Sequence, residues 1–340
     1  MVHNRDTHRP ERPLLSIVVP CFNEEACIEE MARRLHDALD PIDCEWEAVF
    51  VDDGSTDATA TRLEALAARD PRVGYLSFSR NFGHQMALLA GMSRARGDAV
   101  ISLDGDLQHP PELIPTLVEH WRSGFDVVYT VREGNEGHAL KELASAGFYR
   151  LLRRLTGVDI PTGGADFRLL DRVVTDALLA CEERFVFVRG LVPWLGFRRK
   201  AVPYAARERF AGSTKYVFAR MLRFALDGVF SFSTVPLRMI SFLGGITVML
   251  GVVYGFYSIG VRLFTDSAVS GWTSLVVLVL VFSGTQLLSL GILSEYVGRI
   301  YEEVKRRPRY IVADSRQPAA ARELGGQAVL HTTRREKEHA

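Results

Sequence analysis

Three short polar clusters each follow an apolar run in the first third of the chain: Pro20-Cys21-Phe22-Asn23-Glu24-Glu25, Asp52-Asp53-Gly54-Ser55-Thr56-Asp57 and Asp104-Gly105-Asp106-Leu107-Gln108-His109. The third carries the most specific chemistry. Asp104 and Asp106 flank a glycine, and in extended backbone two residues so spaced project to one face. Two carboxylates with the amide oxygen of Gln108 suit a hard divalent cation that keeps waters and grips phosphate oxygens. Such a cation acts as a Lewis acid toward a departing diphosphate. The same letters also spell an ordinary solvated turn, so this cluster alone leaves both readings open. Asp52-Asp53-Gly54-Ser55 reads equally as a turn before a helix capped at Ser55 or Thr56. Asn23-Glu24-Glu25 reads as acidic residues favoured at a helix N-terminus. His109 reads as a supporting or surface residue rather than a ligand. Neither G-x-G-x-x-G nor G-x-x-x-x-G-K-[ST] occurs, so dinucleotide and P-loop fingerprints do not account for the clusters.

The elements that position these clusters follow from hydrophobic rhythm. Leu14–Pro20, Trp46–Asp52, Val73–Phe78, Ala99–Leu103 and Val127–Val131 read as strands, and Glu24–Leu39, Ala58–Arg69, His84–Arg96 and Pro111–Ser123 as helices. Strands alternating with helices predict an α/β fold, a largely parallel sheet covered on both faces. In such sheets ligands bind outside the carboxyl ends of the strands, where all three clusters fall.

Two later runs are long enough to cross a bilayer. Met239–Val261 holds 23 residues without a charge and Trp272–Leu293 holds 22; at about 1.5 Å per residue, 22 residues span about 33 Å against a hydrocarbon core of about 30 Å. Arg299, Lys305, Arg306, Arg307 and Arg309 follow the second run, whereas the connecting loop sets Arg262 against Asp266. The positive-inside rule then places both termini in the cytoplasm. Leu140–Gly157 and Tyr216–Phe232 read as amphipathic helices, the second lying in the membrane interface. Gly244, Gly245 and Gly251 suit close helix packing and a homo-oligomer. With 41 basic and 41 acidic residues the formal charge is zero, which argues against nucleic acid as partner. Four cysteines without C-x-x-C spacing fit a reducing compartment. Residues 1–13 lack the apolar stretch of a secretory leader, so the soluble part is expected on the cytoplasmic side of the inner (plasma) membrane.

In combination the clusters become specific. S-I-V-V-P-C-F-N-E-E at 16–25, V-D-D-G-S-T-D at 51–57 and L-D-G-D-L-Q-H-P-P-E at 103–112 resemble glycosyltransferase family 2, whose catalytic domain has the Rossmann-like GT-A fold. R-N-F-G-H-Q at 80–85, G-A-D-F-R-L-L-D-R at 164–172 and R-F-A-G-S-T-K-Y at 209–216 narrow the resemblance to the polyprenyl-phosphate glycosyltransferase branch. That branch includes dolichyl-phosphate mannose synthases and bacterial undecaprenyl-phosphate glucosyltransferases. The similarity runs from about residue 14 to about residue 310. It implies that Pro20, Asn23, Glu25 and Asp53 line a nucleotide-sugar pocket, with Asp104 beside the donor. Asp104 and Asp106, with Gln108, would hold Mg²⁺ or Mn²⁺ on the donor diphosphate. Arg207, Arg209, Ser213 and Lys215 would contact phosphates of acceptor or donor, a role that also suits arginine's planar fork. Asp106 and Asp166 are the catalytic candidates, Asp166 either orienting acceptor or sugar or serving as a structural carboxylate. The sequence departs from the commoner Asp-Ala-Asp with Asp-Gly-Asp, and carries His84 where many relatives have lysine.

The resemblance implies transfer of a hexose, from UDP-glucose first and GDP-mannose next, to a polyprenyl phosphate with inversion. Expected boundaries are a disordered 1–13, a catalytic domain over 14–215, a juxtamembrane helix over 216–236, a hairpin of two membrane helices over 237–294, a basic helix over 295–312 and a disordered tail over 313–340. A processive polysaccharide synthase is the nearest rival, but its usual Q-x-x-R-W is missing here. A silent membrane scaffold is the other, though it would have no use for a complete set of acidic motifs.

Overall fold

The computed structural model describes residues 9–132, 164–184, 186–204, 233–265 and 271–319. Strands and helices alternate from the start: β1 (Leu14–Cys21), α1 (Ile28–Leu39), β2 (Glu45–Asp52), α2 (Thr59–Arg69), β3 (Val73–Phe78), α3 (His84–Arg94), β4 (Ala99–Ser102), α4 (Ile114–Arg122) and β5 (Val127–Arg132). There follow β6 (Gly164–Asp171), α5 (Arg172–Leu179), α6 (Val188–Trp194), β7 (Arg199–Tyr204), the long helices α7 (Val235–Thr265) and α8 (Trp272–Val304), and β8 (Val312–Arg316). All five expected strands are present, within a residue or so of their expected ends.

The eight strands form one sheet in the order β7-β5-β6-β4-β1-β2-β3-β8. β4, β1, β2 and β3 run parallel, while β6 joins β4 and β8 joins β3 antiparallel. The chain steps from β1 outward to β2 and β3, then returns to place β4 on the other side of β1. The strand order thus reverses between β1 and β4, and in such sheets ligands bind in a crevice outside the carboxyl ends of the strands at that point.

Packing on both faces fixes this frame. In α1, Ile28, Met31, Ala32, Leu35, Ala38 and Leu39 recur at helical spacing and are buried, while Arg33 pairs with Glu30 and Asp37 on the outer face. Each large side chain so buried contributes about 1.5–3 kcal/mol. On the other face α3 lies almost on the sheet: a Cβ at Gly91 would stand 2.3 Å from Val18 Cγ1. Only glycine permits that approach, which sets the height of the helix whose first residue is His84.

Several local expectations need correction. α1 starts at Ile28, because the N–H groups of Asn23, Glu24 and Glu25 bond to Ser55, Thr59 and Asp57 instead of opening the helix. Ser55 and Thr56 do not cap α2; Asp57 Oδ1 accepts from the Thr59 N–H at 2.9 Å. Within the stretch 1–13, Arg9 is anchored: it donates to the Phe125 carbonyl at 2.9 Å, lies 3.5 Å from Asp171 and stacks over Trp121. The basic helix over 295–312 ends early, at Val304, where Arg306 adopts a left-handed φ of 46° ahead of Pro308. Residues 312–316, placed largely in a disordered tail, form β8. Pairing along β3 satisfies backbone groups on one side of the strand, and the Tyr75 hydroxyl donates to Asp314 at 2.6 Å. A polar edge strand of this kind carries no hydrophobic signature of its own.

The chain divides into two compact units, one holding the sheet with its helices and the residues from Pro308 onward, the other holding α7 and α8. Within the second, a Cβ at Gly251 would sit 3.7 Å from Phe282 Cζ, and the Tyr296 hydroxyl donates to the Ser233 carbonyl at 2.7 Å. Val235–Val261 and Val277–Val304 have mean hydropathies of 1.9 and 2.0, so both helices are long and apolar enough to cross a membrane. Their apolar side chains face outward, Phe256 at 72% and Leu287 at 69% exposed. The amphipathic stretches 140–157 and 216–232 lie outside the described residues.

Candidate active site

The crevice at the carboxyl ends of β1, β2 and β4 gathers most of the predicted residues. Cys21 pairs with Asp52 in register, and the Cys21 carbonyl accepts from the Asp53 N–H at 2.9 Å, so the two loops leave the sheet together. They are then stitched side by side. Asn23, in the left-handed conformation at φ 55°, accepts from the Thr56 N–H at 2.8 Å, while its own N–H donates to Ser55 Oγ at 2.9 Å. Glu25 Oε2 accepts from the Ala58 N–H at 3.0 Å. Pro20 is buried near the end of β1, and its carbonyl accepts from the Gly105 N–H at 3.2 Å.

Asp53 follows directly on β2. It is 3% exposed, and its carboxylate accepts from the Phe82 and Gly83 N–H groups at 2.7 and 2.9 Å. Its side chain therefore holds the 80–84 loop. Burial raises its pKa above the usual range, and the two backbone N–H bonds oppose that rise. Gly54, at φ 69°, lets the same loop come close: a Cβ there would meet the Arg80 carbonyl carbon at 2.3 Å.

The Asp-Gly-Asp segment is a turn beyond β4, closed by Leu107 at φ 61°, and not a continuation of the strand. Gly105 is required where it stands, since a Cβ would lie 2.9 Å from Cys21 Sγ. Asp106 accepts from the Gln108 backbone N–H at 3.1 Å and from Gln108 Nε2 at 2.7 Å. Gln108 thus orients Asp106 through its nitrogen. Asp104 Oδ1 is buried and has no hydrogen-bond partner, with His84 Nε2 3.5 Å away. Burial pushes the Asp104 pKa up; His109 and His84 pull it down, and the charges of Asp166 and Asp106 push it further up. His109 is 7% exposed and supports Asp104, its Nδ1 lying 3.3 Å from the Asp104 N–H.

An orphaned carboxylate oxygen beside a second carboxylate fits a cation. Among the described residues no group of three or more His, Cys, Asp or Glu is arranged to hold a metal ion alone. A cation here would complete its shell with phosphate oxygens and water, as magnesium usually does.

Behind this turn lies a cluster that the sequence only half revealed. Asp166, on β6, is 4% exposed and is met by Arg168 on the same face of the strand. Arg189, at the start of α6, reaches it from the side, Nε at 3.0 and 3.1 Å and Nη2 at 2.7 Å. His84 Nε2 stands 3.6 Å from Asp166, which links the cluster to Asp104. Two bonds place these groups: Ser102 Oγ donates to the Asp166 carbonyl at 2.6 Å, and the Val188 N–H donates to Gln85 Oε1 at 3.2 Å. Burial would raise the Asp166 pKa, but His84, Arg168 and Arg189 outweigh it and hold the carboxylate well below its ordinary range. Burial would lower the His84 pKa, and Asp166 and Asp104 reverse that into a net rise. The i, i+2 spacing of Asp166 and Arg168 was readable as one strand face. Arg189 had no local signal. Arg207, Arg209, Ser213 and Lys215 lie outside the described residues.

The stretch 16–179 matches the family described as glycosyl transferase family 2. An uncharacterized glycosyltransferase of Bacillus subtilis (strain 168) is 47% identical over 88% of this chain and 93% of its own length. The bactoprenol glucosyl transferase of Shigella phage SfII is 40% identical over 88% of this chain and 98% of its own. Among solved structures, a glucosyl-3-phosphoglycerate synthase from Mycobacterium tuberculosis in complex with Mn²⁺, UDP and glucosyl-3-phosphoglycerate is 20% identical, with a TM-score of 0.43, over 65% of this chain and 80% of that chain.

Proposed function

Because the chain belongs to glycosyltransferase family 2, in its polyprenyl-phosphate glycosyltransferase branch, we propose that it moves a hexose from a nucleotide sugar to a polyprenyl phosphate at the membrane. The enzyme class and the lipid phosphate acceptor follow from relatives that align over nearly their whole length. UDP-glucose is the favoured donor, by analogy with those glucosyl transferases. The structural observation that carries the reading is the uncompensated Asp104 oxygen at the sheet's crevice, with Asp106 beside it and the Asp166 cluster behind.

Asp104 and Asp106 would hold Mg²⁺ or Mn²⁺, with Gln108 keeping Asp106 in place; the ion supplies positive charge to the departing diphosphate. The stitched loops 22–25 and 53–58 form the donor side of the crevice. A lipid monophosphate loses its second proton near pH 6, so the attacking oxygen is already ionised and needs no strong base. Asp166 is unsuited to that task in any case, since two arginines and a histidine hold its charge. It fixes Arg189 and His84 at the rim of the crevice. Catalysis then rests on bringing two anions together and stabilising the leaving one. In-line attack on the anomeric carbon gives inversion.

Membrane attachment is part of the reading. β7 precedes α7 and β8 follows α8, yet both strands belong to one sheet. The reading puts both ends of the helical hairpin on one side of a bilayer, and Lys305, Arg306, Arg307 and Arg309 support the cytoplasmic side. Detergent-solubilised protein incubated with a panel of labelled nucleotide sugars and undecaprenyl phosphate tests the proposal. Chloroform-soluble label from UDP-glucose is expected; label in a polymer, or none from any donor, would sink it.

A further inference from the structure

Beyond α8 the chain returns to the catalytic unit at a particular place. β8 covers the free edge of β3, and the residues just before it lie against the carboxyl end of that strand, where the 80–84 loop begins. The Ser79 N–H donates to the Ile311 carbonyl at 3.0 Å. Tyr310 stacks on Phe78, ring centroids 4.9 Å apart and planes 16° from parallel. Phe78 meets Phe82 edge-on at 5.7 Å, and the Arg80 guanidinium lies 4.0 Å over the Phe82 ring. The Phe82 N–H is in turn the 2.7 Å donor to Asp53. Tyr310 and Val312 also pack with Phe82 and Met86 against Val51, Leu76, Ala87 and Ala90, under the first turns of α3.

An aromatic ladder thus runs from Tyr310 through Phe78 to Phe82, and from its backbone to the carboxylate of Asp53. The ladder meets the loop that delivers His84 to Asp104 and Asp166. Arg80, Asn81 and Phe82 belong to no strand or helix, so their position depends on side contacts of this kind. Tyr310 stands six residues after the last residue of α8, so the segment that leaves the membrane helix becomes the buttress of the donor-side loop.

We propose that Tyr310 is a positioning residue for the donor side of the active site, holding the 80–84 loop through Phe78 and Phe82. It touches no substrate. The inference rests on the donor pocket assigned above, and it adds that donor affinity is set in part by the segment that follows the second membrane helix. Offset and edge-to-face ring pairs are worth more than their buried area alone, and a mutation acting on a site through packed side chains shifts binding measurably.

The test compares UDP binding in the presence of Mn²⁺ with the KM for undecaprenyl phosphate, in full-length protein in detergent. Tyr310→Ala is expected to weaken UDP on the order of tenfold, while leaving the acceptor KM within about twofold. Tyr310→Phe keeps the stacked ring and is expected to match wild type, because the hydroxyl contributes only a 3.3 Å contact to Ser93. Tyr75→Phe removes the bond to Asp314 farther along the strap and serves as the control for general loosening; it is expected to leave UDP binding unchanged. Wild-type UDP affinity in Tyr310→Ala would overturn the proposal. So would parallel losses of UDP affinity, acceptor KM and melting temperature in Tyr310→Ala and Tyr75→Phe alike. If the wild type binds GDP in place of UDP, the same comparison is made with GDP. Wild-type protein that binds neither nucleotide overturns the donor reading itself, and this proposal with it.

Discussion

Replacing Asp166 with asparagine separates a positioning carboxylate from a catalytic base. In the native cluster the carboxylate accepts three contacts from Arg189 between 2.7 and 3.1 Å and one from Arg168, which is itself 4% exposed. Asparagine keeps the shape but removes the charge, and its amide nitrogen faces arginine donors. Breaking a buried pair by deleting one partner costs about 3–5 kcal/mol, because the other charge stays buried. If only 3 kcal/mol of that appears as misplacement of Arg189 and His84 in the transition state, transfer falls about a hundredfold, at about 1.4 kcal/mol per decade. The assay is the initial rate of sugar transfer to lipid at saturating substrates, followed across the region near pH 6 where the acceptor phosphate loses its second proton. Asp166→Asn should keep the wild-type acidic limb at a much lower plateau. A variant with wild-type turnover, or one whose acidic limb has vanished, would refute the reasoning, the second outcome marking Asp166 as the titrating base.

Other consequences can be checked alongside. Gln108→Ala removes the 2.7 Å bond to Asp106 and should raise the Mn²⁺ concentration for half-maximal transfer about 10–100-fold, as loss of a group supporting a ligand does; an unchanged metal titration would count against it. The raised His84 pKa adds stability that is complete below the unfolded value of about 6.5 and fades as pH rises through the folded value. In metal-free protein, melting curves of wild type against His84→Gln should therefore converge on the alkaline side, and a constant gap at every pH would contradict this. Gly54→Ala forces a left-handed residue to carry a Cβ 2.3 Å from the Arg80 backbone; a loss of at least about 1–3 kcal/mol and weakened UDP binding are expected, against wild-type melting and affinity as the contrary result.

The frame of the catalytic unit was legible because its signals are local. Val73–Phe78 and its companions are short runs rich in apolar residues, and the helices between them have buried faces at regular spacing. The polar clusters fell at strand ends for the same reason, so the crevice was foreseeable in outline. What could not be read was contact between distant segments. Arg189 meets Asp166 only because Gln85 and Val188 tie α6 to α3. Asp53 turns inward because Gly54 lets the 80–84 loop close over it. β8 contains a single large apolar residue, Val312, and becomes a strand only when the edge of β3 is offered. Asp104 and Asp106 sit in a turn beyond β4 with Leu107 left-handed, not in the extended backbone that their spacing suggested.

The claim on which the rest depends is that Asp104 and Asp106 gather a divalent cation on a nucleotide-sugar diphosphate so that a lipid phosphate can displace it. Its most direct measurement is transfer of label from UDP-glucose into undecaprenyl phosphate by protein stripped with EDTA, then resupplied with Mn²⁺ or Mg²⁺, in wild type and in Asp104→Asn. The account predicts chloroform-soluble label only in wild type with metal restored and lipid present. Undiminished transfer in EDTA, or equal rescue of Asp104→Asn by metal, would contradict it.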